Sequence, residues 1–263
     1  LLKVQHDTDA TKAVTLNGTT GMGITQKSSE KPVLFNARRY VGNGSASRDI
    51  TGLGFKADLI WTKNGDTTNW HGVNDSLRGN GPLLYTNESN ANDVPGTNNR
   101  ILSVNSDGHT LGSNSSFNNN NDAYIAWAWK AGGTPSAGKQ RVDNSSTETT
   151  LSSGTHYSSI TNMKQSVNSE GKFSITQYTG GSASSWFKHG LGATTPDMFI
   201  IKSLGSTDSW IVWHKNLSST NAHWLYLGTS AAEATGNVMW ANQTPGNDGK
   251  IYMGNTSQVN TNN

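Results

Sequence analysis

The charged residues Asp75 and Arg78 lie three positions apart in a glycine-bounded stretch. At this spacing their side chains can contact each other, which makes them a candidate functional pair. A carboxylate and a guanidinium at this separation can form a catalytic or sugar-binding pair. They can equally form a bidentate ion pair that fixes a loop. We favour the structural alternative, because paired charges are often structural rather than catalytic.

Two Trp-His pairs, Trp70-His71 and Trp213-His214, are the candidate ligand-binding residues. Aromatic side chains with polar edges are suited to stacking on a sugar or a base. A pair that recurs along the chain is also typical of core positions, and neighbouring residues on a strand point to opposite faces. We therefore expect one residue of each pair to be buried and the other to be exposed.

The carboxylates Asp58 and Asp197 occur at matching places in two similar stretches, and we predict that each caps a turn by accepting backbone N–H bonds. Glycoside hydrolysis needs two carboxyl groups about 5 to 9.5 Å apart. Glu88 and Asp75 are candidates for such a pair in the first stretch, and the second stretch has no evident equivalent. The sequence therefore predicts no catalytic residue and a protein that is not an enzyme.

No metal or cofactor motif is evident. The run Asn118–Asn121 followed by Asp122 lacks the alternating ligands and terminal Glu of a calcium loop, so we expect a solvated turn there. His-Glu-x-x-His, P-loop and Gly-x-Ser-x-Gly patterns are absent from the sequence. The chain has no cysteine, which excludes thiolate metal sites and thiol nucleophiles. We predict no cofactor and no metal.

The composition favours an all-β protein rich in neutral polar residues. Hydrophobic residues make up 32% of the 263 positions and charged residues only 14%, so Asn, Ser, Thr and Gly must cover the surface. The formal net charge of +2 gives no electrostatic argument for nucleic-acid binding. No apolar run approaches the roughly 20 residues of a membrane helix, so we predict no membrane insertion.

Part of the sequence is written twice at a nearly constant offset, which indicates a duplicated unit. The matched residues are Tyr40 and Tyr178, Leu53 and Leu191, and Lys63 and Lys202. We predict an all-β fold of two tandem β-sandwich domains, jelly-roll or lectin-like, with an extended N-terminal segment. The predicted parts are an N-terminal arm or end of a preceding module (1–34), repeat 1 (35–133), a linker (134–170) and repeat 2 (171–263).

The clearest strand is Ala123–Lys130, which has large residues on one face and mostly small ones on the other. At the same offset, its counterpart in repeat 2 would begin after Asn263, so we expect repeat 2 to lack this strand. Either the sequence is an internal piece of a longer polypeptide, or another chain supplies the strand. The Ser/Thr-rich residues 139–170 are either edge strands or a spanning connector.

Several motifs resemble a repeat domain found in virion proteins of tailed phages, many of them marine. They are Tyr40-Val-Gly-Asn-Gly44, Gly52-Leu-Gly-Phe55, Asp58-Leu-Ile-Trp61-Thr-Lys63, Asp75-Ser-Leu-Arg78-Gly79 and Tyr124-Ile-Ala-Trp127-Ala-Trp129. The resemblance covers most of 35–133 and, more loosely, 171–255. Ala57 replaces the proline usual in the family, whereas Pro196 retains it. Repeat 2 lacks the Asp-Ser-x-Arg-Gly motif.

The resemblance implies a tail-fibre-like virion structural protein that contributes to host-surface attachment by binding. It would be assembled in the host cytoplasm and located in the extracellular particle. Implied partners are other virion subunits, copies of the same chain with a trimer favoured, and a host surface glycan or envelope protein. The alternatives are a capsid decoration or head-appendage protein and, with less support, a polysaccharide depolymerase.

Overall fold

The computed structural model describes residues 14–17, 23–26, 32–94, 99–246 and 248–261. The chain divides into two compact units, residues 1–33 and residues 34–263. In the smaller unit, β1 (Val14–Asn17) pairs with β2 (Gly23–Gln26) in an antiparallel hairpin.

The larger unit confirms the predicted all-β class. Its elements in chain order are β3 (Phe35–Val41), β4 (Arg48–Thr51), β5 (Leu59–Asn64), β6 (Gly72–Asp75), β7 (Gly79–Tyr85), β8 (Ile101–Asn105), β9 (Gly108–Leu111), α1 (Ser115–Asn118), β10 (Ala123–Trp129), β11 (Lys139–Val142), β12 (Glu148–Thr150), β13 (Tyr157–Ser158), β14 (Thr161–Asn168), β15 (Phe173–Thr179), β16 (Ser185–Lys188), β17 (Met198–Ile201), β18 (Ile211–His214), β19 (His223–Tyr226), β20 (Ala234–Thr235) and β21 (Lys250–Met253). Across the described ranges, no helix has the length and apolar character needed to cross a bilayer.

Repeat 1 contains a five-stranded sheet in the order β3-β10-β5-β6-β7 and a three-stranded sheet in the order β4-β9-β8. The central strand β10 is antiparallel to both β3 and β5. Its small residues Ala126 and Ala128 are fully buried together with Tyr124, while Trp127 and Trp129 on the other face are half-buried. The alternation of β10 thus places one face in the core, as a period of two residues requires.

Repeat 2, together with β11 to β14 of the preceding stretch, contains a related set of strands in three sheets, β12-β11-β14-β15, β13-β16-β21 and β17-β18-β19-β20. A second hydrophobic core forms around Trp213, Trp240, Ile211 and Met253. The pairings β16–β21 and β17–β18–β19 repeat those of β4–β9 and β5–β6–β7 in the first half. The tandem-sandwich arrangement itself stays a prediction.

The repeated Tyr-x-Gly motif has the same structural role in both halves. The Tyr40 hydroxyl donates to the carbonyl of Phe117 at 2.8 Å, and the Tyr178 hydroxyl donates to the carbonyl of Val259 at 2.6 Å. Each tyrosine therefore connects the first strand of its repeat to the segment after β9 or β21, which is helix α1 in repeat 1 and a turn in repeat 2.

The glycine two residues later is needed because another backbone passes close by. A β-carbon on Gly42 would lie 1.9 Å from the carbonyl oxygen of Asn119. A β-carbon on Gly180 would lie 2.4 Å from the carbonyl oxygen of Thr261. Real β-carbons do not approach an oxygen this closely, so the motif reports a packing requirement and not a ligand site.

The stretch 134–170 is not a free linker, because it carries strands β11 to β14. Strand β14 pairs antiparallel with β15 along most of its length, so the predicted boundary at residue 171 falls between two paired strands. The connection is also fixed at its start, where the Gly132 amide donates to Ser166 Oγ at 2.8 Å. Neither alternative for 139–170 describes the stretch fully, because β12 and β13 lie at sheet edges whereas β11 and β14 each pair on both sides.

Candidate functional site

Strand register shows which residues of the two repeats are equivalent. In repeat 1, Ile60 of β5 pairs with Asn74 of β6. In repeat 2, Phe199 of β17 pairs with Trp213 of β18. Because Ile60 and Phe199 each follow the repeated Asp by two positions, Trp213 is the counterpart of Asn74. The predicted match between Trp70 and Trp213 is therefore wrong.

Trp213 is a core residue and cannot contact a ligand. Its side chain is 0% exposed, its ring stacks on Phe199 with centroids 5.1 Å apart, and its Nε1 donates to the carbonyl of Thr220 at 2.8 Å. His214 follows it half-buried, and its Nδ1 accepts from the Asn216 amide at 3.1 Å. His214 thus caps the turn after β18, and the second Trp-His pair is removed from the candidate ligand residues.

Trp70 has the opposite environment. Its side chain is 45% exposed, and its ring lies 4.8 Å from the buried ring of Tyr85, which supports it from behind. His71 is half-buried, and its backbone amide donates to Asn87 Oδ1 at 2.9 Å. Partial burial and, secondly, the charge of Lys63 lower the pKa of His71, which favours a neutral ring that can donate and accept hydrogen bonds.

The loop that leads to Trp70 is held by the end of β5. Lys63 Nζ donates to the carbonyls of Thr67 and Asn69 at 2.8 and 3.0 Å. Asn64 Oδ1 accepts from the amides of Asp66 and Thr67 at 2.9 and 3.2 Å. These bonds satisfy the polar groups of the loop and fix its path, so the position of Trp70 is set by the sheet.

The far side of this region is held by repeat 2. Trp210 Nε1 donates to the carbonyls of Tyr85 and Glu88 at 2.9 and 3.1 Å. We call Trp70, His71, Tyr85 and Asn87 the Trp70 platform. It presents one exposed aromatic ring beside neutral donors and acceptors, an arrangement suited to stacking on the apolar face of a sugar and hydrogen bonding its hydroxyls.

Asp75 and Arg78 are in contact, as a single N–O pair instead of a bidentate one. Arg78 Nε lies 2.6 Å from Asp75 Oδ2, and both side chains are nearly buried. Asp75 Oδ1 accepts from the amides of Leu77 and Arg78, each at 3.0 Å. The remaining guanidinium nitrogens donate to Asn92 Oδ1 and the Val73 carbonyl. The pair fixes the β6–β7 turn, which is the structural role we favoured.

Asp58 and Asp197 occupy equivalent positions but differ in environment. Asp58 is buried and accepts from the Ala131 amide at 2.8 Å through Oδ2; burial raises its pKa. Asp197 is exposed and forms an ion pair with Lys215, which lowers its pKa. Asp58 therefore secures the chain just after β10, and Asp197 pairs with a lysine side chain. The predicted capping of a local turn is wrong for both residues.

The environment of Asn118 differs from the solvated turn that was predicted for residues 118–122. The residue is fully buried; its Oδ1 accepts from the Asn43 amide at 3.0 Å, and its Nδ2 donates to the carbonyls of Ser45 and Gly112. Asn121 is exposed, as expected, with a left-handed φ of 69°. Within the described residues, no group of three His, Asp or Glu side chains is arranged to hold a metal ion.

A second aromatic surface was missed by the sequence analysis. Lys250 Nζ lies 4.6 Å above the ring of Trp186 and 5.9 Å from the ring of Tyr252, whose hydroxyl donates to Asp248 Oδ2 at 2.8 Å. Trp186 is brought to this cluster by the β16–β21 pairing. No local motif marks it, because the contact joins residues far apart in sequence.

The fold and the site define an all-β protein with an exposed aromatic platform built on one of two related halves. The chain belongs to the DUF7483 family, a domain of unknown function, whose model matches residues 30–263. One family model thus spans both repeats, in agreement with the single compact unit of residues 34–263. Searches among curated proteins and among solved structures gave no match.

Proposed function

We propose that this chain is a structural subunit of a phage virion, in a tail-fibre-like appendage, and that it contributes to host-surface attachment by binding. The virion assignment rests on the resemblance of residues 35–133 to the phage repeat domain. The adhesive part rests on one observation, the exposed ring of Trp70 on a rigid support.

The Trp70 platform favours a carbohydrate ligand. An exposed indole loses little conformational entropy on binding when the residue behind it already fixes its orientation, and Tyr85 does so here. The half-buried His71 and Asn87 offer neutral polar groups at its edge. The nearby Lys63 amine already donates to the carbonyls of Thr67 and Asn69. The neutral groups at the edge of the ring suit a sugar hydroxyl better than a phosphate, which favours cationic donors.

Binding is better supported than hydrolysis. Both Asp75 oxygens accept hydrogen bonds within the turn, and Asp58 is buried against the Ala131 amide. Neither carboxylate is free to protonate a leaving group or attack a sugar. A single aromatic platform binds weakly, so attachment would depend on several copies, with a trimer as the proposed assembly.

The test is binding of the purified chain to an array of bacterial O-antigen and capsular polysaccharides. We expect one or a few glycans to be retained, Trp70→Ala to lower their affinity at least tenfold, and Trp70→Phe to keep most of it. Val238→Ala is the matched control, because Val238 is another exposed apolar side chain, in repeat 2. Equal binding by Trp70→Ala would contradict the proposal.

Two further outcomes separate the alternatives. Release of reducing ends from a glycan, abolished in Asp75→Ala, would identify a depolymerase and contradict a binding role. Antibody labelling of the intact particle at the head would identify a capsid decoration protein, whereas labelling of the tail is the result expected here.

A further inference from the structure

The sheet of repeat 2 has a gap at the place that β10 occupies in repeat 1. In repeat 1, β10 lies between β3 and β5 and pairs with both. Their counterparts β15 and β17 each end a sheet, since β15 pairs with β14 on one side and β17 with β18 on one side. In the described part of the chain, no strand pairs with their other edges.

A cleft of about 760 Å³ follows this gap and is lined by both β15 and β17. Outer-face residues of repeat 1, including Trp61, Val73 and Leu84, also line it. We call this cleft, with the free edges of β15 and β17, the strand slot. Free edges bordering a partly apolar cleft are a template for an added strand.

Apolar side chains of β17 are left exposed at the strand slot. Met198 is 54% exposed and Ile200 is 37% exposed, although both belong to a strand whose other residues are buried or half-buried. In repeat 1 the equivalent residues Leu59 and Trp61 are half-buried, because β10 lies beside them. The exposed area is what an additional strand would cover.

Register predicts the outer-face contacts of such a strand. Trp127 of β10 lies opposite Ala37 on β3 and opposite Trp61 on β5. The residues at these two places in repeat 2 are Ile175 and Ile200, which both line the cleft. A large apolar residue at the Trp127 position would therefore fill the space between them.

The inner face requires the small residues of β10. Ala126 and Ala128 are fully buried, and Tyr124 stacks on Tyr40 with ring centroids 5.1 Å apart. In the slot, Tyr178 occupies the place of Tyr40, so an aromatic residue fits opposite it. The larger Phe199 replaces Ile60 beside the Ala128 position, which leaves room only for a small residue.

Two polar atoms along the slot also lack partners. The buried Trp61 Nε1 and the buried Gln177 Oε1 line the cleft and form no hydrogen bond in the structure. Burial without a partner is unfavourable for both atoms.

We propose that the strand slot binds one partner β-strand, antiparallel to β15 and β17, with the residue alternation of β10. The partner strand is none of the strands described in residues 34–261, since each of them already belongs to a sheet. It carries one aromatic and otherwise small residues on its inner face and large apolar residues on its outer face. Main-chain hydrogen bonds to two free edges provide affinity, and the alternation provides specificity.

A second copy of the chain is not the expected donor. Its own β10 is the central strand of the repeat 1 sheet, paired on both sides, with fully buried alanines. Withdrawing it would open the same gap in the donor that it closes in the acceptor. The occupant is therefore a separate strand that is not already part of a sheet.

The test uses the full chain and a dye-labelled synthetic peptide with the sequence of residues 122–130. Fluorescence anisotropy measures affinity, and residue-resolved hydrogen exchange locates the bound peptide. We expect saturable binding and at least tenfold slower exchange of the slot-facing amides of β15 and β17. A matched peptide of identical composition, with Ile125 exchanged for Ala126 and Trp127 for Ala128, should bind at least tenfold more weakly.

Ile200→Lys should weaken peptide binding at least tenfold, whereas Val238→Lys, at another exposed apolar position, should leave it unchanged. Thermal unfolding of both variants verifies that they fold. Equal affinity for the two peptides, or binding without protection of β15 and β17, overturns the proposal. Self-association of the chain that protects the same amides makes a second copy the occupant and likewise overturns it.

Discussion

The two halves of this protein have equivalent strands, but the sheet that is closed in repeat 1 is open in repeat 2. In repeat 1, β10 closes a five-stranded sheet between β3 and β5. In repeat 2, the equivalent strands β15 and β17 end two separate sheets, and β15 instead joins β14, β11 and β12. The two halves thus share their hairpin pairings, while the central position that β10 fills in repeat 1 is open in repeat 2.

The same contrast separates the candidate surfaces. In repeat 1, the exposed ring of Trp70 packs on Tyr85, whose backbone carbonyl accepts a hydrogen bond from Trp210. Repeat 2 buries Trp213 in its core and exposes apolar strand edges. One half thus carries the proposed ligand site, and the other carries the proposed strand slot.

The largest effect is expected from truncating an equivalent leucine in each half. Leu53 is fully buried in repeat 1, and Leu191 is half-buried in repeat 2. Leu53→Ala should lower the free energy of unfolding by about 3 kcal/mol, because it leaves a cavity in a closed core. Leu191→Ala should cost about 1 kcal/mol. Urea denaturation measures both, and equal costs would contradict the difference in packing.

The second prediction concerns acid sensitivity of repeat 1. His109 is buried, neither ring nitrogen has a hydrogen-bond partner, and burial lowers its pKa to about 4. The unfolded state binds a proton below about pH 6.5 and the folded state does not, so stability falls as the pH is lowered from 6.5 toward 4. His109 thereby removes about 3 kcal/mol between pH 7 and pH 4.

His109→Ile provides the comparison, because Ile251 pairs with Phe187 in repeat 2 as His109 pairs with Ile50 in repeat 1. The variant should lose less stability between pH 7 and pH 4, measured by urea denaturation at each pH. An unchanged pH dependence would show that His109 does not titrate with a lowered pKa.

The third prediction tests whether helix α1 and the turn after it, in repeat 1, are equivalent to the turn after β21 in repeat 2. The Asn118 side chain forms three hydrogen bonds in repeat 1. The Asn260 side chain also forms three in repeat 2: its Oδ1 accepts from the Gly181 amide, and its Nδ2 donates to the Ala183 carbonyl and to Ser185 Oγ. Replacing either asparagine with alanine should cost about 2 kcal/mol, because buried groups lose their partners.

Asn120→Ala, at an exposed position of the same turn, is the control and should change stability by less than about 0.5 kcal/mol. A cost for Asn118→Ala without a matching cost for Asn260→Ala would break the equivalence of the two turns.

The smallest effect is a difference in titration between Asp58 and Asp197. Carboxyl-detected NMR should find the pKa of Asp58 above its ordinary value, because of burial, and the pKa of Asp197 below it, because of Lys215. The folded state therefore holds the Asp58 proton more tightly than the unfolded state does. The contribution of Asp58 to the free energy of unfolding is lost as the pH rises through its folded-state pKa. Lys215→Gln should return the pKa of Asp197 toward its ordinary value without moving that of Asp58.

Local pattern was enough to predict the all-β class, the strand β10 and the matched positions of Tyr40 and Tyr178. Alternation of large and small residues sets which face of β10 is buried, and the recurring Tyr-x-Gly motif reports a close backbone approach. These features depend on neighbours in sequence or on a repeated packing requirement, so they are visible in one sequence.

The remaining features depend on pairing between distant segments. Residues 134–170 have a linker composition, yet β14 pairs with β15 and the stretch becomes part of a sheet. Trp70 and Trp213 have the same neighbour in sequence, but register places one beside a surface loop and the other in a core. Composition cannot distinguish these outcomes, because strand partners decide them.

Residue-resolved hydrogen exchange of the chain alone compares the edges of β3 and β5 that pair with β10 with the free edges of β15 and β17. The amides of β3 and β5 that point toward β10 should be strongly protected. The amides of β15 and β17 that point away from β14 and β18 should exchange at least a hundredfold faster, because no described strand pairs with them. Equal protection of the two pairs of strands in the monomeric chain would contradict the account.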